Sequence, residues 1–509
     1  MATATEHTLS LWQDHSPTQP ETALTESLRT DVCIIGAGIA GLTTAYLLAK
    51  EGRGVVVIDQ ASPGGGETGR TTAHLASAID DRYAMLLRRI GREKASLAGE
   101  SHRAAIDFIE STSHAENIEC SFRRLDGYLF AGENRDAERL EREFEAAREC
   151  GQRVDWVESP GGLGFLGRCL RFPHQAQFNP LDYLRGLREA VERFGGRVYG
   201  NTRVLEIEEH DHNIVRTDRD VMVRAPHVVV AANTPFNDRV TMHTKLFPYQ
   251  TYAIAATVPA GTVPAALYWD DLDPYHYVRL TDATPGFETL IVGGEDHKTG
   301  QQPHPNPAFE NLERWARERF PQLGTVTHQW SGEVLETMDG LASIGRNPGS
   351  RAHVWIATGD SGMGMTHGTI AGMLLSDLIV GRDNPWREVF EPSRVPPAGL
   401  GEMAKENLNV ARQYFDWAKP SGNAEREPAA LRPGEGCVFQ RGLHKVAIHR
   451  DGDGTLHERS AVCPHLGCIV EWNETEHTWD CPCHGSRFEA KGEVIHGPSP
   501  VNLASVPPG

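Results

Sequence analysis

The segment from Asp31 to Asp59 constrains the fold more than any other part of the sequence. Asp31-Val-Cys-Ile-Ile35 is an apolar run of strand length, and Gly36-Ala-Gly38-Ile-Ala-Gly41 breaks it. Residues 42–50 are good helix formers closed by Gly52, and Val55-Val-Val-Ile58 is a second apolar run ending at Asp59. Strand, tight turn, helix and strand in this order make a phosphate-binding unit of a parallel sheet. Gly36 allows the turn, Gly38 lets the backbone approach a pyrophosphate, and Gly41 lets the helix pack closely on the strand. The helix N-terminus turns free N–H groups and partial positive charge toward the phosphates. Asp59 stands where a carboxylate accepts hydrogen bonds from a ribose hydroxyl pair. The unit therefore predicts a bound dinucleotide.

Further along, residues 135–150 have apolar positions three and four apart with Gly151 just beyond, and are expected to be helical, as are residues 180–194, 307–320 and 366–380. Residues 197–208, 227–232, 246–258, 275–280, 290–293 and 353–358 are β-rich, and this interleaving implies an α/β domain with an inserted, more antiparallel part. From residue 391 to about 435, Pro392, Pro396, Pro397, Pro420, Pro428 and Pro433 flank a polar helical segment at 401–418, the composition of a tether. Residues 436–509 alternate short apolar runs with Gly and Asn turns and form a small all-β unit. The expected organisation is a polar leader at 1–30, a main body at 31–391, a linker with one helix at 392–435 and the β unit at 436–509.

Among 509 residues, 50 Lys and Arg stand against 69 Asp and Glu, a formal charge of −19, which is the reverse of the basic footprint that nucleic acid demands. The apolar runs are far shorter than the roughly 18 residues of a membrane helix. No nucleic-acid partner and no membrane span are expected. The first 30 residues lack the basic-then-apolar order of a secretory signal, which points to the cytoplasm. Of nine cysteines, Cys33, Cys120, Cys150, Cys169 and Cys437 are scattered, while Cys463, Cys468, Cys481 and Cys483 fall together. In a cytosolic chain such a cluster is more often a metal site than a disulfide framework.

Between about residues 31 and 381 the sequence resembles the glutathione-reductase-type flavoproteins, and more narrowly the D-amino-acid-oxidase-like (DAO) superfamily of sarcosine, dimethylglycine and glycine oxidases and dehydrogenases. The resemblance rests on the glycine triplet, on Gly65-Gly-Glu-Thr-Gly-Arg-Thr71-Thr72-Ala-His74, on Val228-Val-Val-Ala-Ala-Asn233, and on Ile356-Ala-Thr-Gly359-Asp-Ser-Gly362-Met-Gly364-Met365-Thr366. It implies FAD, held by a Rossmann-type domain of residues 31–90, 196–240 and 335–385, with an antiparallel-sheet substrate domain of residues 91–195 and 241–334. By this likeness Asp59, Gln60, Thr71 and Thr72 are cofactor-binding positions and Val204 meets adenine through its backbone. Gly359, Gly362, Gly364, Met365 and Thr366 close a turn over the flavin ring, with the following helix N-terminus at its pyrimidine end. Thr71-Thr72-Ala73-His74 is similar to the Thr-Thr-Trp-His that carries FAD covalently in dimethylglycine and sarcosine dehydrogenases, but with Ala in place of Trp. Covalent attachment through His74, and a His74 that only hydrogen-bonds or packs near the flavin, both stay open. No second strand-turn-helix glycine fingerprint appears, so a nicotinamide-binding domain is not indicated.

For the substrate, Tyr275-His276-Tyr277-Val-Arg279 occupies the region that contributes substrate-facing Tyr and Arg side chains in glycine-oxidase-like enzymes. Tyr277 and Arg279 are the candidate catalytic residues with His276, although a strand would turn His276 to the opposite side. Tyr249 and Tyr252 are further candidates. Where amino-acid oxidases place a carboxylate-binding Arg after Trp-x-Gly, this chain has Trp330-Ser-Gly332-Glu333. An acidic side chain there disfavours a free amino-acid carboxylate and suits a cationic amine.

In the last fifty residues, Cys463-Pro-His465 and Cys481-Pro-Cys483-His484 set two thiolates and two imidazoles in two short loops. Two Cys and two His can make a Rieske 2Fe-2S centre or a closed tetrahedral zinc site. The spacing Cys-x-His and Cys-x-x-His, in loops Cys463-Pro-His-Leu-Gly-Cys468 and Cys481-Pro-Cys-His-Gly-Ser486, resembles the Rieske protein of cytochrome bc complexes. That resemblance implies that Cys463 and Cys481 bind one iron and His465 and His484 the other, with Cys468 and Cys483 joined as a disulfide. It also implies that Ser486 donates to a bridging sulfide. Phe488 stands where respiratory members have a hydrogen-bonding tyrosine, which predicts a lower potential here. Trp472 and Trp479 are expected in the core of the β unit.

A flavin and a one-electron cluster on one chain predict an oxidoreductase, and the resemblance to the DAO superfamily implies a dehydrogenase of C–N bonds. FAD would take a hydride equivalent from a small amine or amino acid, and the Rieske cluster would pass electrons singly to an external acceptor such as a cytochrome, ferredoxin, quinone or oxygen. Two other readings stand beside it. One is an electron-transfer module without its own substrate, and the other is an NAD(P)H-dependent flavin reductase feeding the cluster. A Rieske non-haem oxygenase is disfavoured, because no His-His-carboxylate iron site is discernible.

Overall fold

The computed structural model describes residues 9–16, 21–132, 137–237, 242–282, 285–301, 306–350, 353–395, 400–413 and 428–506. The apolar runs of the opening motif become adjacent strands, Val32–Ile35 and Val55–Ile58, joined through the helix Ile39–Lys50. Every residue of both strands is buried, as befits a parallel sheet covered on its two faces. The sheet has six strands, in the order Ser343–Arg346, His353–Thr358, His227–Val230, Val32–Ile35, Val55–Ile58, Arg197–Tyr199. All pairs are parallel except the first. The helices Ile39–Lys50 and Gly364–Val380 pack on each other, with Gly372 against Thr43. A four-stranded sheet, Leu28–Arg29, Met222–Ala225, Asn213–Thr217 and Val204–Glu208, lies beside this core.

The inserted part is a nine-stranded sheet. Its path runs Val326–Thr337, Leu246–Pro259, Phe287–Lys298, His276–Asp282, Leu267–Asp270, Arg123–Phe130, Arg168–Gln177, His74–Leu75, with Asp155–Glu158 beside Arg168–Gln177. The helix Ala308–Arg319 covers one face through Leu312, Trp315 and Ala316.

The expected helices appear as Ala137–Glu149, Pro180–Arg193, Ala308–Arg319 and Gly364–Val380. A longer one, Tyr83–Ala115, was not foreseen. It is kinked at Gly91, whose φ of 79° is non-helical, and its buried stripe of Ala95, Ala98, Ala105, Ile106 and Ile109 sits among many charged residues that mask the periodicity. The polar N-terminal segment also carries structure. The helix Leu11–His15 is capped by Ser10 and buries Leu11 and Trp12 against the main body.

In the linker, the helix covers Leu400–Gln413, and the rest of the expected 401–418 span lies outside the described residues. The C-terminal unit is all β. It has a three-stranded sheet, Gly436–Arg441, His444–Arg450 and Leu456–Ser460, and a four-stranded one, Glu471–Asn473, Thr478–Asp480, Arg487–Glu489 and Val494–His496. Trp472, Trp479 and Phe488 form its core, the two indoles 4.8 Å apart. Among the described residues, no helix is long and apolar enough to cross a membrane.

Candidate functional site

One cavity of about 1010 Å³ runs from the glycine turn to the nine-stranded sheet. Its volume exceeds the roughly 300–1,000 Å³ of sites for drug-sized ligands, as a dinucleotide with a substrate beside it requires. Gly36, Gly38, Ile39 and Ala40 place the helix N-terminus in its wall, beside Asp59, Gln60, Thr71, Thr72, His74 and Val204. The wall also contains Gly359, Gly362, Gly364 and Met365.

The glycines are required by space. A Cβ on Gly36, whose φ is +104°, would lie 2.3 Å from the carbonyl oxygen of Ala231, and one on Gly41 would lie 1.9 Å from that of Gly36. Gly41 thus serves the packing of helix on turn and does not itself line the cavity. Asp59 accepts the N–H of Ala37 at 2.7 Å on one oxygen and that of Ala61 at 2.8 Å on the other. Each oxygen keeps a lone pair, and burial raises the carboxyl above its ordinary value. The cradle, helix end and carboxylate fit FAD. Thr366, expected at the flavin, turns inward instead, sharing a 2.8 Å hydrogen bond with His102 and donating to the carbonyl of Met363.

The loop that ends at His74 is held from three directions. Trp12 Nε1 donates to the carbonyl of Thr71 at 2.6 Å, and Ser10 Oγ to that of Gly69 at 2.5 Å. Arg279 Nη1 donates to the carbonyls of Thr72, Ala73 and Phe178 at 3.0, 2.7 and 3.1 Å, and its guanidinium lies 5.3 Å from the Trp12 ring. Arg279 is 1% exposed and absent from the cavity wall. The arginine expected to face substrate is spent on buried carbonyls, which need donors more than solvent-facing groups do.

His74 itself is pushed down to about 3 by burial and the nearby Arg279, so its ring is neutral. Its Nδ1 lies 3.1 Å from Thr72 Oγ1 and its Nε2 3.3 Å from the Val278 carbonyl.

His276 is also redirected. It lies between Asp270, 3.0 Å from Nδ1, and Glu295, 3.4 Å from Nε2, and stacks on Trp315 at 4.4 Å, away from the cavity. Strand alternation carries it to the far face of the sheet while Tyr275 and Tyr277 face the cavity. Tyr277 shares a 2.9 Å hydrogen bond with Thr251, and its ring lies edge-on to His74. Tyr275 OH donates to Asp80 at 2.8 Å, and burial raises the Asp80 carboxyl above its ordinary value. Sequence reasoning passed over Tyr275 and Asp80, although the alternation that demoted His276 would have selected Tyr275. Tyr252 lines the cavity and accepts from Asn306 at 2.6 Å, whereas Tyr249 stands outside the wall.

In the small domain, Cys468 and Cys483 are bonded as a disulfide across the two loops. The thiols of Cys463 and Cys481 face each other, their shared hydrogen bond holding Cys463 below its ordinary value and pushing Cys481 up. The imidazoles of His465 and His484 lie 5.0 Å apart, centroid to centroid. Burial pushes His484 down to about 3, leaving it neutral as a metal ligand must be. Ser486 adjoins the Cys463 thiol, and its Oγ accepts the N–H of Ser499 at 3.2 Å. Two sulfurs and two imidazoles converging from disulfide-tied loops fit a 2Fe-2S centre.

The small domain closes over the cavity of the large one. Glu476, Arg487, Val494, Ile495 and His496 stand in the same wall as Glu67, Arg70 and Glu333. Gln60 Nε2 donates to the Ile495 carbonyl at 2.5 Å and Arg203 Nη2 to that of Val494 at 3.0 Å. Arg487, 2% exposed, is ringed by Asp480 and Glu476 of its own domain and by Glu67 and Glu333 of the other. Glu333, where the sequence suggests a contact for a cationic amine, lines the cavity but is 2% exposed and lies at the junction of the two domains. Its N–H donates to Glu67 Oε2 at 2.7 Å, and its carboxylate faces Gly485 and His496.

Residues 31–378 match the family model for DAO, FAD dependent oxidoreductases, and residues 424–507 that for the Rieske 2Fe-2S domain. The chain is 32% identical over 491 residues to a Rieske 2Fe-2S iron-sulfur protein, YhfW, of Bacillus subtilis, covering 96% of this chain and 95% of that one. It is 26% identical over 401 residues to the gamma-glutamylputrescine oxidoreductase of Escherichia coli, covering 74% of this chain and 90% of that one. The crystal structure of glycine oxidase from Geobacillus kaustophilus superposes with a TM-score of 0.61 at 21% identity, over 72% of this chain and 99% of that one, which establishes the shared fold.

Proposed function

Because the chain belongs to the DAO family of FAD-dependent oxidoreductases and carries a Rieske 2Fe-2S domain, we propose that it oxidises the C–N bond of a small amine or amino acid and delivers the electrons through the cluster to an external one-electron acceptor. The observation that supports this reading is that residues of both domains line one cavity, so the cluster-bearing unit borders the space that the family resemblance assigns to FAD. FAD supplies two-electron acceptance from the substrate, and the 2Fe-2S centre supplies one-electron delivery. The chain's own residues bind and orient. Tyr275 and Tyr277 face the substrate end of the cavity with Thr251, and Asp80 takes the proton of Tyr275 into a hydrogen bond. We assign the substrate-facing role to Tyr277 with Tyr275 and Asp80, in place of Arg279 and His276. Arg279 and neutral His74 shape the loop behind them. The Escherichia coli relative is named for an amine derivative, which supports a C–N substrate. Cys463, His465, Cys481 and His484 hold the cluster in this reading, with Ser486 tuning it. Phe488, buried and without a donor, keeps the potential below that of tyrosine-bearing Rieske proteins. Anaerobic mixing with amines, N-methylated glycines and amino acids tests the proposal: one class should bleach the flavin, whereas bleaching by NADH alone would replace the reading with a reductase.

A further inference from the structure

The cluster loops do not rest on a featureless surface. His243, 3% exposed, belongs to the large domain, and its imidazole lies 4.6 Å from that of His465 and 5.3 Å from that of His484, centroid to centroid. With the 5.0 Å between His465 and His484, the three rings form a packed triangle. On either side a glycine with positive φ lies in close contact across the seat. A Cβ on Gly300 would stand 3.0 Å from Pro482 Cα, and one on Gly485 would stand 2.6 Å from Glu333 Oε2 and 2.9 Å from Pro248 Cβ.

The chain that carries His243 is anchored on its C-terminal side. Lys245 Nζ donates to the carbonyls of Pro392 and Arg394 at 3.0 and 3.1 Å, and Asn407 of the linker helix donates to the Thr244 carbonyl at 2.9 Å. The same helix ties down the far side of the seat, through Glu406 to Lys298 and Asn409 to Gln301. Glu333, which touches the second cluster loop, also lines the cavity, so this one residue borders both seat and cavity.

We propose that His243, Gly300 and Glu333 form a seat for the histidine edge of the Rieske cluster, that His243 is the positioning residue of that seat, and that the cluster is reduced while seated. The inference rests on the flavin-to-cluster direction proposed above. In each transfer one electron leaves the reduced flavin and converts one ferric ion of the cluster to ferrous. The next follows once an outside one-electron carrier protein has oxidised the cluster. While the cluster is seated, its histidine edge is closed to that carrier. Pro464 and Leu466 of the first loop remain exposed and give it a surface to approach. A position fixed by packing on rigid elements is what a repeatable transfer geometry demands.

The test uses the holoenzyme, its flavin reduced by a light flash with a sacrificial donor, so that no substrate is needed. His243→Ala should slow flavin-to-cluster transfer at least tenfold and shift the EPR line shape of the reduced cluster, while His243→Phe, which keeps a ring in the triangle, stays within about threefold of wild type. Gly300→Val, which drives a branched side chain at Pro482, should slow transfer without altering a ring and serves if His243→Ala does not fold. A His243→Ala protein with wild-type line shape and rate overturns the seat, as does a Phe variant as slow as Ala. Absence of transfer in wild type would refute the direction of electron flow instead, and the EPR comparison would still judge the seat.

Discussion

Arg70 and Glu476 form an ion pair across the junction of the two domains, Nη1 to Oε2 at 3.5 Å, with the Glu476 side chain 2% exposed. Arg70 also donates to the Ser331 carbonyl, and Ser331 Oγ to Glu476, so the pair sits in a closed network. Removing one partner of a buried pair leaves the other charge uncompensated, at a cost of about 3 to 5 kcal/mol. Glu476→Ala should therefore loosen the docked small domain, read as a larger radius of gyration by small-angle scattering. An unchanged scattering curve would mean that the contact does not hold the domains together.

Arg279 predicts a loss of flavin with little direct effect on substrate recognition. Arg279→Met strips three buried carbonyls of a charged donor, which costs about 3 kcal/mol and frees the loop that carries Thr71 to His74. The purified variant should show a reduced ratio of flavin to protein absorbance. Normal flavin content with a raised KM would return Arg279 to the substrate-binding role suggested by its sequence position.

His74 has both ring nitrogens engaged by Thr72 and Val278. The flavin is accordingly expected to be held without a covalent bond. Acid precipitation of the holoenzyme should leave a yellow supernatant and a colourless pellet, and flavin retained in the pellet would establish attachment.

These predictions separate what was legible in the sequence from what was not. The turn at Gly36, the strands flanking it and the cluster loops were legible because their chemistry lies within short stretches of chain. The disulfide expected from family resemblance is present between Cys468 and Cys483. The roles of Arg279 and His276 were not legible, since carbonyls and carboxylates distant in sequence decide where those side chains turn. That Gly485 and His496 face the Glu333 carboxylate was not legible either, since nothing local reveals it. His243, Glu476 and Arg487 were passed over for the same reason: a domain interface leaves no periodicity in either partner.

Glu143 predicts a pH dependence independent of the redox site. It caps the helix Tyr83–Ala115, accepting the N–H of Tyr83 and of Ala84 at 2.9 Å each, and burial pushes its carboxyl up to about 7. A carboxyl raised in the folded state contributes stability that is complete below its unfolded value near 4.5 and is lost as pH rises through about 7. That shift amounts to roughly 3 kcal/mol. Glu143→Gln, which does not titrate, should melt below wild type at pH 5 and close that gap by pH 8. A constant difference would place the proton elsewhere.

Phe488→Tyr should raise the midpoint potential of the cluster by adding a donor in the buried core of the small domain. An unmoved midpoint would show that position 488 does not tune the cluster.

The central claim is that electrons enter at the flavin and leave through the cluster of the same chain. Anaerobic mixing of the holoenzyme with amine and amino-acid substrates, following flavin absorbance and the EPR signal of the reduced cluster in one time course, tests it most directly. The account predicts flavin bleaching followed by a Rieske signal that grows at the flavin's expense. Bleaching with a cluster that stays oxidised would contradict it.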